Sequence, residues 1–280
     1  MRVRQPVFDF SKTKPRWAKS MEFAMGKNGL SITIPPLERF LNRVMAKARS
    51  QIKGDDPASV QLRADISTFI KQESVHYATH EGFNRAVSVG FDRIPELEAK
   101  VEAHYTRMLE KRSLAFCVAY CEGFETLGPL GAHMMINAQF GKLLEGADPN
   151  VTMLFRWHAM EEFEHRSVVY RTFKRIHGGY FMRVGMFFYQ MYWFAKLSGM
   201  VTKYMLEVER AKMTPEEVAE SKRREKAVAK LTRKSVLGYL PKALSPWYDP
   251  DRLPIPTGFN ALERQIDDEW MGAKAVPQPA

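Results

Sequence analysis

The chain has 280 residues, of which 45% are hydrophobic, 12% aromatic and 26% charged, as is typical of globular proteins. This aromatic content excludes disorder of the whole chain, and the two cysteines, Cys117 and Cys121, exclude a disulfide scaffold and indicate a reducing compartment. The net charge of +10 is concentrated in residues 1–20 and 221–242, so it does not indicate a core that binds nucleic acid.

Proline and glycine breaks divide the first half of the chain into stretches with helical periodicity. We expect residues 1–34 to form an N-terminal extension on the surface, and Pro35-Pro36 to open the first helix. A second helix is predicted from about Ala58 to Val87. A long third helix is predicted from Glu96 to about Leu127, followed by a shorter helical piece that ends near Leu144.

The second half of the chain continues the helical pattern. A helix is predicted from Val151 to about Ile176, and a very apolar segment extends from Tyr180 to Leu206. Thr214-Pro215 begins a last, basic helix that ends near Lys234. Because no stretch alternates in the manner of a strand, the predicted fold is all-α. Its metal-binding bundle spans residues 35–210, and residues 211–280 form a basic helix and a Pro-containing tail packed on the same domain.

Two short windows hold four of the seven histidines. Each window contains the pattern Glu-x-x-His, formed by Glu73 with His76 and by Glu162 with His165. Side chains three positions apart project from one face of a helix. A single pair of this kind is most often a solvated ion pair, but two pairs on two helices are part of the ligand set of dinuclear iron or manganese bundles.

The other two histidines extend these pairs in mirrored order. His80 lies seven residues after Glu73, and His158 lies seven residues before His165, so each set falls within a narrow arc of its helix. Glu161 lies at the edge of the second face. Two helices that carry mirrored sets could therefore face one another across a pair of metal ions.

A dinuclear bundle needs one carboxylate from each of two more helices. Glu38 is the only acid in the apolar stretch after Pro35-Pro36. In the third helix, Glu122 and Glu125 both interrupt an apolar stretch, where a carboxylate is costly unless it is paired or bound to a metal. We prefer Glu122, with Glu125 as the alternative on the same side of the helix.

The two windows resemble the signature motifs of the bacterial family of predicted metal-dependent hydrolases. The matching positions are Gln72, Glu73, His76, His80, Asn84, Trp157, His158, Glu161, Glu162, Glu164 and His165. The resemblance covers about residues 30–200. It implies a metal-dependent enzyme, and the family's name implies hydrolysis.

The ligand spacing is also similar to that of the di-iron arylamine N-oxygenases. That likeness implies a ferritin-like four-helix bundle, here with additional C-terminal helices. The metal ligands it implies are Glu38, Glu73, His76, Glu122, His158, Glu162 and His165. His80 has no counterpart in that set, so it could be an eighth ligand, a proton shuttle or a hydrogen-bond partner of a ligand.

These observations lead to three hypotheses about function. The first is a di-iron enzyme that uses O2 to oxidise an apolar or aromatic small molecule, with manganese or zinc as alternative metals. The second is hydrolysis by a metal-activated water, with His80 or Glu161 as general base. The third is a metal-binding or membrane-docked protein without catalytic activity.

The apolar segment, the basic run and the N-terminus lead to expectations about binding partners and cellular compartment. Arg183 and Gln190 interrupt residues 181–195, which favours a buried helix over a membrane span, although a membrane-interface helix or a pocket lining stays open. The basic run at residues 222–226 is compatible with peripheral contact to anionic lipid, and nucleic acid is not expected. The N-terminus has no apolar signal region, so we expect a cytoplasmic protein that could form a homodimer.

Overall fold

The computed structural model describes residues 1–137 and 140–271, and in these residues the protein is all-α, as predicted. The helices are α1 (Met21–Gln51), α2 (Pro57–Val87), α3 (Ile94–Lys111), α4 (Leu114–Glu125), α5 (Gly128–Ile136), α6 (Gly141–Leu144), α7 (Pro149–Glu164), α8 (Val168–Ile176), α9 (Tyr180–Arg210), α10 (Pro215–Ala243) and α11 (Phe259–Gln265). A 3₁₀ turn at Pro250–Arg252 and a π turn at Ile266–Trp270 flank α11.

The prediction that the first helix begins at Pro35-Pro36 is wrong. The helix α1 begins at Met21, where Ser20 caps it by accepting a hydrogen bond from the Phe23 amide at 3.2 Å. Residues 21–34, which were expected in the surface extension, therefore form the first half of α1 and are largely buried. The two prolines lie inside the helix, in a position that usually interrupts the hydrogen-bond ladder.

The interrupted ladder is compensated from a neighbouring helix. Because Pro35 has no N–H, the carbonyl of Ser31 loses its helical partner. The side-chain amide of Asn84 in α2 donates to this carbonyl at 3.1 Å. The Ser31 carbonyl is thus satisfied despite the missing backbone donor.

Two further helices that were predicted as continuous are interrupted. Ser113 caps α4 by accepting from the Phe116 amide, so the long third helix is divided into α3 and α4. The helix expected from Val151 to Ile176 is divided between α7 and α8 at residues 165–167. There the Arg166 side chain donates to the Phe163 carbonyl at 2.6 Å and competes for an acceptor of the ladder.

The apolar segment forms α9, which packs against α1 and α4. In the described residues, no helix is both long and apolar enough to cross a membrane. The contact between α9 and α1 is close at Gly29. A Cβ added there would lie 2.8 Å from the Thr202 nitrogen and 3.0 Å from the Ser198 carbonyl oxygen. Only glycine lets the two backbones approach this closely.

We predict that Gly29→Ala destabilises the protein by about 1–3 kcal/mol, because the added methyl group overlaps the backbone of α9. Gly26→Ala in the same helix is the control, because nothing lies within 4 Å of its added Cβ. That change should be neutral or stabilise by up to about 1 kcal/mol. Urea unfolding of both variants measures the difference, and equal stability of the two would contradict the close packing.

Candidate metal centre

Seven buried carboxylate and imidazole side chains from four helices converge inside the protein. They are Glu38 of α1, Glu73 and His76 of α2, Glu125 of α4, His158 and Glu162 of α7, and His165 at the end of α7. We call these residues the Glu/His cluster. The interruption after α7 falls at His165, so the last residue of the cluster lies where the helix ends.

Two groups within the cluster have the geometry of a metal site. Glu38, His76, His158 and Glu162 form one group, in which the ligand atoms lie within 4.8 Å of one another. A second group of the same size replaces Glu38 and His158 by Glu73 and His165. Because His76 and Glu162 belong to both groups, the two candidate positions are adjacent.

Many polar atoms of the cluster have no hydrogen-bond partner. In the described residues no hydrogen bond satisfies either oxygen of Glu38, Glu73 Oε2, His76 Nδ1 or Glu162 Oε2, whereas Glu73 Oε1 pairs with His165 Nε2 at 3.0 Å. Each such atom costs free energy if nothing satisfies it. Carboxylate oxygens and imidazole nitrogens are ligands of iron, manganese and zinc, so the residues present fit a metal centre.

The charges of the cluster support the same conclusion. Among the described residues, no Lys or Arg forms an ion pair with Glu38, Glu73, Glu125 or Glu162. Burial and the neighbouring carboxylates raise the pKa of Glu38 and of Glu125 well above the usual range. Burial opposes ionisation of Glu162 as well, but His165 and His158 outweigh it and lower its pKa to about 2. Burial opposes a charge on His165 too, but Glu125 and Glu162 outweigh it and raise the pKa of His165 well above its usual value. The carboxylates are thus offset by this histidine and by no lysine or arginine among the described residues.

Glu161 lies behind the cluster and fixes His76. Its Oε2 is 3.0 Å from His76 Nε2, and its Oε1 accepts a hydrogen bond from Arg4 at 3.2 Å. Since a carboxylate accepts, Nε2 of His76 donates, which leaves Nδ1 facing the cluster at 3.7 Å from Glu73. Burial lowers the pKa of His76 well below its usual value, so the ring is neutral.

The sequence alone did not indicate that Arg4 belongs to the site. Its side chain is only 1% exposed and also pairs with Glu164 at 2.8 Å and Glu263 at 2.7 Å. No local pattern could have predicted these contacts, because Arg4 lies 157 positions from Glu161. The excess of basic residues at the N-terminus was the only related signal.

A chain of hydrogen bonds positions His80. The Asn84 amide nitrogen donates to the Ser31 carbonyl, so its Oδ1 faces the Ser31 hydroxyl, which donates to it at 2.6 Å. With its proton committed to Asn84, the Ser31 oxygen accepts from His80 Nδ1 at 2.7 Å. Burial lowers the pKa of His80 well below its usual value, and its Nε2 is then an acceptor.

This chain continues to a residue of the cluster. His80 Nε2 lies 2.7 Å from His158 Nδ1, which therefore donates to it. The other ring nitrogen of His158, Nε2, faces the cluster, where it lies 2.9 Å from Glu162 Oε1 in a hydrogen bond and 3.5 Å from Glu38 Oε1. His80 thus lies behind His158, and both of its ring nitrogens are occupied.

The two alternatives on α4 have different environments. Glu125 has its Oε2 3.1 Å from His165 Nδ1 and belongs to the cluster. Glu122 instead accepts a hydrogen bond from Thr126 at 2.9 Å and lies 3.7 Å from Arg183 of α9. The two glutamates are three positions apart and so point about 60° apart around the helix. The structure therefore brings the alternative, Glu125, into the cluster and leaves the preferred residue, Glu122, outside it.

We predict that Glu122 makes the protein less stable as pH rises. Burial raises its pKa to about 7, despite the nearby Arg183. Because the folded protein holds this proton more tightly than the unfolded chain, stability falls between about pH 4.5 and 7, by up to about 3 kcal/mol. In Glu122→Gln this part of the pH dependence is absent, as urea unfolding at several pH values would show. The exposed control Glu110→Gln should retain it, and identical pH profiles for both variants would contradict the assignment.

Comparison with known proteins gives one match. A family model described as "predicted metal-dependent hydrolase" matches residues 2–253, which include Arg4 and every residue of the Glu/His cluster. Searches of the curated proteins and of the solved structures found no match.

Proposed function

Because this chain belongs to the family of predicted metal-dependent hydrolases, we propose that its chemistry takes place at the Glu/His cluster and needs two metal ions there. The observation that carries the proposal is the convergence of unpaired carboxylate oxygens and imidazole nitrogens from four helices. Structural ion pairs do not leave so many buried polar atoms without partners.

Geometry and charge support two ions. The two groups of ligand atoms overlap at His76 and Glu162, so two adjacent positions could each hold an ion, and His76, with only Nδ1 free, would serve one of them. Once ionised to bind metal, the four carboxylates would bring four negative charges into a buried site that has no lysine or arginine partner among the described residues. Two divalent ions would balance these charges, whereas one would leave a net negative charge in the interior.

The donor set favours iron or manganese and an O2-dependent oxidation. One glutamate from each of two helices and a Glu-x-x-His pair from each of two others is the ligand set of di-iron carboxylate bundles. Such a set would hold iron, which when bound would supply electrons to O2; one oxygen atom would enter the substrate, and an external reductant would supply the two electrons that, with two protons, reduce the other oxygen atom to water. The organic substrate we expect is an apolar or aromatic small molecule.

The protein's own residues orient the ligands and exclude water. Glu161 with Arg4 holds His76, and His80 with Ser31 holds His158 in the tautomer whose Nε2 faces the cluster. Aromatic rings cover the outer sides: Trp157 packs edge-on against His76 at 4.9 Å between ring centroids, and Phe69 does so against His165 at 4.8 Å. Such partners fix ligand geometry and typically change metal affinity about 10–100-fold when removed.

Hydrolysis is the second candidate, and the family description favours it. Metal ions lower the pKa of a bound water and stabilise the developing oxyanion. The two residues considered as general base are both engaged, since His80 uses both ring nitrogens and Glu161 both oxygens in hydrogen bonds. In a hydrolytic reaction, we propose that an unpaired oxygen of Glu38 takes the proton of the water.

We predict that the purified protein binds two transition-metal ions per chain, as measured by elemental analysis. Glu125→Gln should lower this number or weaken binding about 10-fold or more, because the residue belongs to the cluster. Glu122→Gln is the matched control on the same helix and should bind both ions, because its contacts are to Thr126 and Arg183. A protein that saturates at one ion, or variants that behave in the opposite way, would overturn the dinuclear proposal.

The two reactions can be separated on the same preparation. If the oxidation proposal is right, protein loaded with Fe(II) without oxygen should develop new near-ultraviolet absorption when O2 is added, and His165→Ala should not. If hydrolysis is right, manganese- or zinc-loaded protein should cleave generic carboxylic or phosphate esters, and His165→Ala should lose that activity. Spectral inertness of the iron-loaded protein together with ester cleavage would favour the second candidate over the first.

A further inference from the structure

A second site is suggested by an apolar cavity of about 420 Å³ between α1, α5, α9 and α10. Its walls consist mainly of aliphatic and aromatic side chains, among them Leu30, Leu130, Met134, Met191, Phe194 and Val228. The volume is within the range of cavities that hold drug-sized ligands. Such cavities normally combine apolar walls with a few polar groups that orient the ligand.

Among the described residues that line this cavity, the one charged side chain is that of Lys27 of α1. Its ammonium lies over three rings, 5.1 Å from the centroids of Phe140 and Phe155 and 5.9 Å from that of Phe23. Among residues 1–137 and 140–271, no carboxylate pairs with it and no oxygen accepts its protons. The rings attract the positive charge but leave its N–H donors without acceptors.

The Lys27 ammonium has no counter-ion among the described residues. Burial lowers its pKa to about 8, so the side chain is still mostly charged at neutral pH. Lys27 is half-buried, and a charged amine that is partly removed from water without a counter-ion is costly, so a ligand that supplies the counter-ion would recover part of that cost. Elsewhere in the protein, buried cations such as Arg4 are surrounded by carboxylates.

We propose that this cavity binds a small molecule with an apolar body and a single carboxylate, and that Lys27 pairs with the carboxylate. The walls fit the apolar body, and the ammonium fits the acidic end. A singly charged anion is favoured over a phosphate monoester, which carries about two charges, because no second cation lines the cavity in the part of the chain that the structure describes.

The cavity lies beside the Glu/His cluster. Phe155 contacts both Lys27 and the His80 ring, with 5.8 Å between the centroids of Phe155 and His80. At another wall, Leu127 is adjacent in sequence to Gly128, whose Cβ position would lie 3.0 Å from Glu162 Oε2. A carboxylate ligand would therefore bind close to the cluster, but its recognition depends on Lys27 rather than on metal ions.

The test is calorimetric titration of the full-length purified protein with dodecanoate and, separately, with the neutral dodecanol. We expect Lys27→Met to weaken dodecanoate binding about 10-fold or more, with little effect on dodecanol. Lys196→Met is the matched control, because Lys196 also lies over aromatic rings but does not line the cavity. Gly131→Phe, which places a ring in open space at the cavity wall, should weaken both ligands.

Three results would overturn the proposal. They are no binding of dodecanoate to the wild-type protein, equal binding to wild type and Lys27→Met, or an equal loss in Lys196→Met, which would indicate surface charge alone. Lys27→Gln serves as a second variant, and thermal unfolding checks that each variant is folded. Glu125→Gln should bind dodecanoate normally, so that failure of the metal proposal and failure of the ligand proposal give different results.

Discussion

Mutual repulsion among four buried glutamates is the constraint on which this helical arrangement depends. Glu38, Glu73, Glu125 and Glu162 come from four different helices, and folding brings their carboxylates together in a low-dielectric interior. Without cations, the protein must bind extra protons there. If cations bind, their positive charge offsets this repulsion, and part of the free energy of folding then comes from metal binding.

The surroundings of the cluster follow from this constraint. Two of the three histidines in the cluster have an outer partner that takes one ring nitrogen and turns the other inward, whereas both nitrogens of His165 face cluster carboxylates. His76 has Glu161 for this purpose, and His158 has His80. The outer carboxylate is itself neutralised by Arg4, which prevents a fifth uncompensated charge. The apolar rings beyond these partners keep the local dielectric low.

The sequence predicted those features of the site that depend on neighbouring positions in one helix. Glu73 with His76 and Glu162 with His165 are three residues apart, and helical geometry alone places each pair on one face. The sequence could not show which of Glu122 and Glu125 belongs to the cluster, because both lie in equally apolar surroundings. Only their contacts with other helices distinguish them, since Glu122 lies near Arg183 and Glu125 near His165. Contacts between residues that are far apart in the sequence, such as those of Arg4, produce no local sequence pattern.

The proline pair within α1 has a consequence that reaches another helix. Because Pro35 has no N–H, the Ser31 carbonyl is free to orient the Asn84 amide, and that orientation determines where the protons of His80 and His158 lie. A missing backbone hydrogen in α1 therefore affects which histidine nitrogens of α2 and α7 carry protons. In homologues of this chain, we expect the proline and the asparagine to be kept or lost together, as a co-evolving pair linked through the Ser31 carbonyl.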